Sequence, residues 1–383
     1  MSNAGLIPPR DDELEVTLFG PGFGESVVLH IGGGNWIVVD SCIHPGSPLP
    51  AALDYLFQLK VDVNEAVKLV VATHWHDDHI RGISGVLNAC QSAELVISGA
   101  LQVDEFLKLV ALYQDRQVAK SSGVDQFSKL IELLQARKRK GVRFNPPLFA
   151  LADKLLYRDE LVVENSVYPI RVYALSPSDA TILQSKLAFG QILPRVGENP
   201  RRINSPTPNI ASTVLWIECG PHAILLGADL EQTSDPKTGW SVILAESNVI
   251  AGSADLFKIP HHGSQNAHHP HVWSQLLVKD PHAILTPFSR GQKPLPSEDD
   301  VNRIVDLTPN AFITSPVRLH KERWRNRVVR DFVKDVTREM VSVNHGWGQI
   351  RLRRNLTNAS EPWTVTLLGD AYQIKRTTTL NAD

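Results

Sequence analysis

The ten-residue run THWHDDHIRG places His74, His76, Asp78 and His79 within six positions. Imidazole nitrogens and carboxylate oxygens at that density suit a divalent cation: Zn²⁺ first, with Mn²⁺ or Fe²⁺ as alternatives. The run follows Val67–Ala72 (VKLVVA), which has the length and β-branched content of a buried strand. Alternate side chains at a strand end share a face, so His74 and His76 can reach one ion. The turn that follows can swing Asp78 and His79 toward a second. A merely solvated loop has no reason to follow a buried strand with four metal-competent side chains. The chain holds 14 histidines, and eight fall in two clusters, 74–79 and 261–271. The second cluster opens with KIPHHGS, which contains His261 and His262. Two further carboxylates close apolar runs: Asp40 after WIVV, and Asp229 in ILLGADLE.

The elements that must carry these residues read as follows. Segments 15–19, 26–31 and 36–40 are short apolar runs separated by glycine turns, the pattern of strands in hairpins. A short helix is expected over 50–59, another over 82–90, and a strand over 94–97. Residues 103–117 and 124–140 carry apolar side chains at helical spacing, so two amphipathic helices are predicted. Segment 168–175 reads as a strand, followed by a long loop rich in Pro, Gly and Asn. After Ala211 come strands in STVLWIEC, AILLGAD, DLFKIP and HAILTP, and a helix over SEDDVNRIVDL. A basic helix is expected over 321–339, and the strands GQIRLRR and WTVTLLG close the chain. Strand runs alternate with helices without an evident linker. This predicts one α/β domain of stacked mixed sheets with helices outside.

With four motifs in a fixed order, the sequence resembles the metallo-β-lactamase superfamily. These are Asp40 at an early strand end, the HxHxDH pattern, Asp229, and KIPHHGS. The phrases NIASTVLWIE, ILLGADLE and KIPHHGS are closest in style to the branch containing the nuclease domain of ComEC-type DNA-uptake proteins. The resemblance implies an αββα sandwich over 14–350 with a helical insertion at about 101–143 after the metal-binding loop. Residues 351–383 would be a closing strand and tail of the same domain. It implies that His74 and His76 hold one metal, that Asp78, His79 and one histidine of the 261/262 pair hold another, with His262 favoured because it directly precedes Gly263, and that Asp229 bridges them. His261 then faces substrate or supports a ligand. Asp40 would orient a ligand histidine. Relatives often carry a third histidine for the first metal just before a strand serine. Here Asn209 occupies that neighbourhood, ahead of Ser212, and an amide oxygen is a weaker zinc ligand than imidazole. His222 does not replace it. It opens the strand that Asp229 closes, and seven residues at ~3.3 Å each put the two about 23 Å apart. A second departure is RGQKPLPSE at 290–298, where the branch usually shows Asn and His.

Two bound divalent ions lower the pKa of a bridging water toward neutrality and hold a substrate oxyanion, which serves esters, amides and phosphodiesters alike. An aspartate bridge suits in-line phosphoryl displacement. The leading expectation is therefore a zinc-dependent phosphodiesterase or nuclease acting on nucleic acid or a nucleotide. Asp78, His261 and Lys258 are its catalytic candidates, the last two to supply a proton or a positive neighbour to the leaving group. Basic stretches supply the phosphate argument. They are Arg137–Lys140 with Arg143, then Arg195, Arg201 and Arg202, then Arg318 to Arg330. The 101–143 insertion is expected to wall or cover the cleft. The competing expectations are hydrolysis of a lactone, thioester or β-lactam, and a metal-stabilised scaffold that binds a protein partner without catalysis.

Composition narrows the setting. The chain has 383 residues and a formal net charge of −2, so a generic nucleic-acid coat is disfavoured while a local basic groove is not. No stretch has the ~20 apolar residues of a membrane span. The N-terminal residues show no secretory pattern. Three cysteines (Cys42, Cys90, Cys219) are too few and odd for a disulfide framework, so a cytoplasmic setting is expected.

Overall fold

The computed structural model describes residues 7–20, 24–44, 46–102, 104, 108, 123–139, 145–192, 209–289, 293–317 and 346–376. Sixteen strands among these form two eight-stranded sheets. The first sheet is built from β1 (Glu13–Gly20), β2 (Ser26–Ile31), β3 (Trp36–Val39), β4 (Val67–Ala72), β5 (Glu94–Ser98), β6 (Leu148–Ala150), β14 (Gly348–Asn355) and β15 (Thr364–Gly369). Its order is β15-β14-β1-β2-β3-β4-β5-β6, antiparallel as far as β3 and parallel from β3 to β6. The second comprises β7 (Lys154–Val163), β8 (Ser166–Ala174), β9 (Leu215–Cys219), β10 (His222–Leu226), β11 (Ala254–Lys258), β12 (Leu277–Leu285), β13 (Ala311–Ile313) and β16 (Tyr372–Gln373), in the order β16-β13-β12-β11-β10-β9-β8-β7. There β10 to β13 run parallel.

The period-two alternation of β1 shows why the sheets stack. Leu14, Val16 and Leu18 enter the core between the sheets, where they join Ile37, Val71, Ile217, Ile224 and Ile284. Glu15, Thr17 and Phe19 take the opposite face, where Tyr55 donates a hydrogen bond to Glu15 at 2.7 Å. The parallel strands lack this alternation because both of their faces are covered. Helices α1 (Ala51–Gln58), α2 (Val63–Ala66), α3 (Asp77–Ile80) and α4 (Ile83–Ala89) belong to the outer side of the first sheet, and α1 and α4 supply buried residues to the core there. The second sheet is covered by α7 (Gly239–Glu246) and α8 (Glu298–Leu307). The architecture is an αββα sandwich.

Helix α5 (Gly123–Arg139) is the second of the two amphipathic helices predicted after the metal loop; most of the first lies outside the described residues. Phe127, Leu130 and Leu134 of α5 are buried in the outer core of the first sheet. This half of the insertion packs beside α3 and α4. Arg137 donates to the carbonyls of Leu87 and Cys90, so this basic residue closes the end of α4 instead of facing phosphate. The basic helix expected at 321–339 lies outside the described residues, as do Lys140, Arg143, Arg195, Arg201, Arg202 and Arg318. Strand β7, helix α6 (Asp179–Ile192) and α7 were not read from the sequence. In β7 the charged stretch Arg158–Glu160 hides a long outer strand. In α6 and α7 apolar residues do not keep one clear stripe. No helix of the described residues is long and apolar enough to cross a membrane.

Candidate metal centre

The site forms where the parallel strands of both sheets end. The first sheet supplies the loop after β4. Asp40, directly after β3, has φ 57° and receives the Thr73 backbone N–H at 2.8 Å and the Thr73 hydroxyl at 2.7 Å. This ties the entrance of the His74–His79 loop to the neighbouring strand. The other Asp40 contact is His79 Nδ1, at 2.7 Å. An imidazole held at Nδ1 by a carboxylate keeps Nε2 free as a ligand. The second sheet supplies Asp229 just beyond β10, and the turn His261–Gly263 beyond β11. Ala228, His261 and His262 have φ of 44°, 47° and 54°. Left-handed backbone at non-glycine residues costs about 1–3 kcal/mol each and gathers at functional sites.

Across the gap, His79 Nε2 lies 3.3 Å from Asp229 Oδ1 and 3.9 Å from Asp78 Oδ2. His262 Nε2 lies 3.4 Å from Asp78 Oδ2 and 3.8 Å from Asp229 Oδ2. Ligand atoms of Asp78, His79, Asp229 and His262 thus fall within 4.8 Å of one another, and all four residues are buried. The rings of His74 and His76 sit 5.0 Å apart, and His74 lies 4.2 Å from the His79 ring. These distances bring the HxHxDH residues together with Asp229 and His262. His261 Nδ1 instead meets Glu231 Oε1 at 3.1 Å.

Does a cation fit? His74 Nε2, His79 Nε2, His262 Nε2 and Asp229 Oδ1 are buried with no hydrogen-bond partner, which is costly for polar atoms unless a ligand supplies the contact. Charge points the same way. Glu25, Asp40, Asp78 and Asp229 are buried carboxylates, and Lys258 is the single buried ammonium beside them among the described residues. Burial would raise the Asp78 and Asp229 carboxyls, yet facing His79 and His262 they are held below the usual range. Burial would lower His79, and the surrounding carboxylates, Asp229 foremost, lift it instead. His74 and His76 are pushed down by burial, so their lone pairs are available. The donors fit one or more divalent cations.

Glu25 is the residue that sequence reasoning missed. It sits in the GFGES turn before β2, where nothing in its local pattern marks it. Gly24, with φ 93°, brings this turn against the metal loop; a Cβ there would stand 2.9 Å from the Asp78 carbonyl. Glu25 is ion-paired to Lys258 and accepts a hydrogen bond from Thr286 at 2.7 Å. Lys258 also donates to the Ala228 carbonyl at 2.8 Å. Thr286 in turn contacts His262 Nδ1 at 3.1 Å through both its hydroxyl and its carbonyl. Asn209 is buried, with its amide nitrogen 2.9 Å from Glu231 and 3.4 Å from His261 Nε2. His222 stays apart from the metal loop. It is buried at the start of β10, near Asp255 at 3.3 Å, and takes no part in the centre.

Residues 19–103, which include the whole HxHxDH loop, match the family model described as the metallo-beta-lactamase superfamily. No curated protein matches the chain. Among solved structures, the metallo-beta-lactamase fold protein YhfI from Bacillus subtilis is similar at 16% identity, over 64% of this chain and 70% of that one, with a TM-score of 0.31. The matched segment contains β2 to β5 and the loop after β4, while Asp229 and His262 lie outside it. Over residues 19–103 the chain is similar to the metallo-β-lactamase superfamily.

Proposed function

We propose that the chain is a binuclear metal-dependent hydrolase of phosphodiesters, with a nucleic acid or nucleotide as substrate and zinc as the metal. The observation that carries this reading is Asp229, a buried carboxylate reaching toward His79 through one oxygen and His262 through the other, with Oδ1 unpartnered. His74, His76 and Asp229 would hold one ion; Asp78, His79, His262 and Asp229 would hold the other. Bound there, the ions supply Lewis acidity and an activated water. An aspartate shared between the two ions would hold them close, an arrangement that suits in-line displacement at phosphorus.

The remaining residues have separable tasks. Asp40 fixes the His79 ring, and Thr286 with Glu25 fixes the His262 ring. Lys258, fully buried and engaged by Glu25, serves as a fixed counter-charge beneath Asp229. Of the two roles expected of it from sequence, a proton source or a positive neighbour, its burial and its pairing with Glu25 favour the second. His261 is different. Its side chain is 17% exposed and Glu231 is 25% exposed, against 9% or less for the ligand residues Asp78, His79, Asp229 and His262. They mark the open side of the centre, where an imidazole oriented by Glu231 can give a hydrogen bond to a substrate oxygen. The test is turnover of bis-p-nitrophenyl phosphate with added Mn²⁺ or Zn²⁺. Asp229→Ala should abolish it, while a panel of lactones and β-lactams stays unreacted. Turnover of the panel but not of the phosphodiester would overturn the substrate class.

A further inference from the structure

We propose that the Asn209 side-chain oxygen is a metal ligand, completing the donor set of the ion held by His74 and His76. This rests on the binuclear reading above. The amide's orientation is decided by chemistry. A carboxylate can only accept, so the group 2.9 Å from Glu231 Oε1 is the –NH₂, and Oδ1 points the other way. Oδ1 is buried and has no hydrogen-bond partner, as is true of His74 Nε2. Both atoms belong to segments tied together: the backbone N–H of Thr213 donates to the Thr73 carbonyl at 3.0 Å, one residue before His74. The short turn Asn209–Ala211 is pinned as well. Ser98 donates to the Ala211 carbonyl at 2.7 Å, and Ser212 N–H returns to the Asn209 carbonyl at 3.1 Å. On the other flank the amide nitrogen sits 3.4 Å from His261 Nε2. The amide is thus held through its nitrogen by Glu231 beside His261, on a segment tied to the residue before His74, and its buried oxygen has no hydrogen-bond partner. Carbonyl oxygens are competent, weaker ligands for Zn²⁺ and good ones for Mn²⁺.

The experiment is Zn²⁺ titration against a chromophoric chelator, with Co²⁺ absorption as a second readout, on wild type, Asn209→Ala and Asn209→His. Asn209→Ala should weaken one of the two ions about tenfold or more and leave the other unchanged, which also reports a folded chain. Asn209→His should restore or tighten that ion, because imidazole is the better zinc donor, and should alter the Co²⁺ bands. Should Asn209→Ala not fold, Glu231→Ala, which frees the amide from its anchor, should loosen the same ion. Equal affinities in wild type and Asn209→Ala would overturn the assignment and leave the binuclear reading standing. Equal weakening by Ala and His would also overturn it, placing the effect in the hydrogen bond to Glu231. A wild type that binds fewer than two ions would defeat the binuclear reading itself.

Discussion

The residues of the centre show a division between groups left free to ligate and groups already satisfied. His79 is gripped at Nδ1 by Asp40, His262 by Thr286, and each presents an unpartnered Nε2. Beneath them the Glu25–Lys258 pair balances charge in a region where an isolated ion is expensive. Removing one partner of a buried pair leaves the other uncompensated. Lys258→Met should therefore cost the chelator-treated protein ~3 kcal/mol or more in denaturant unfolding. A loss under ~1 kcal/mol would show that Glu25 is neutralised some other way. The types and spacing of the metal-loop residues were legible from sequence because the motif is local. Glu25 was not. Its partners, Thr286 and Lys258, lie more than 230 positions away, and only the closing of two sheets brings them together.

At the scale of elements, local periodicity made most strands readable, and side chains that break the period hid the rest. The hairpin of β2 and β3 is an instance of the first kind. Its turn is set by His30, whose Nδ1 faces the Glu13 carbonyl at 2.8 Å while Nε2 receives the Gly34 N–H at 3.1 Å. Nδ1–H donates in either charge state, but the Nε2 contact needs the neutral ring, since protonation removes that acceptor. Burial accordingly pushes His30 below its ordinary value of 6.5. A group whose folded value is depressed gives stability that is complete above 6.5 and lost as pH falls below it, because the unfolded chain takes up the proton first. Stability in chelator should thus drop between pH 7.5 and 5.5, and His30→Gln should lessen that drop. Identical pH dependence in the two proteins would remove His30 from the account. By contrast, β7 carries Arg158, Asp159 and Glu160 on an outer strand with one neighbour, β8, so its sequence resembles a loop. Helix α5 was visible by its stripe, yet its role was not: burial of Phe127, Leu130 and Leu134 makes it part of the core rather than a detachable cover.

Across the whole molecule the centre is a seam. His74, His76, Asp78 and His79 come from the first sheet; Asp229 and His262 come from the second. A polar clip marks another junction of the sheets, where Arg354 of β14 pairs with Asp255 of β11, and Trp363 lies over the guanidinium at 5.2 Å. Stacked mixed sheets with helices outside could be read from alternating strands and helices. The strand pairings across 300 residues, such as β1 with β14, could not, because register over that separation leaves no local mark. Since ligands from both sheets converge on Asp229, bound metal should fasten the sandwich, and losing the shared carboxylate should affect both ions at once. The direct test is metal content per chain after Zn²⁺ loading and removal of excess, for wild type and Asp229→Ala. Two ions per chain in wild type, with both sites weakened in the variant, is the predicted result. One ion or none in wild type, or two retained in Asp229→Ala, would contradict the binuclear centre.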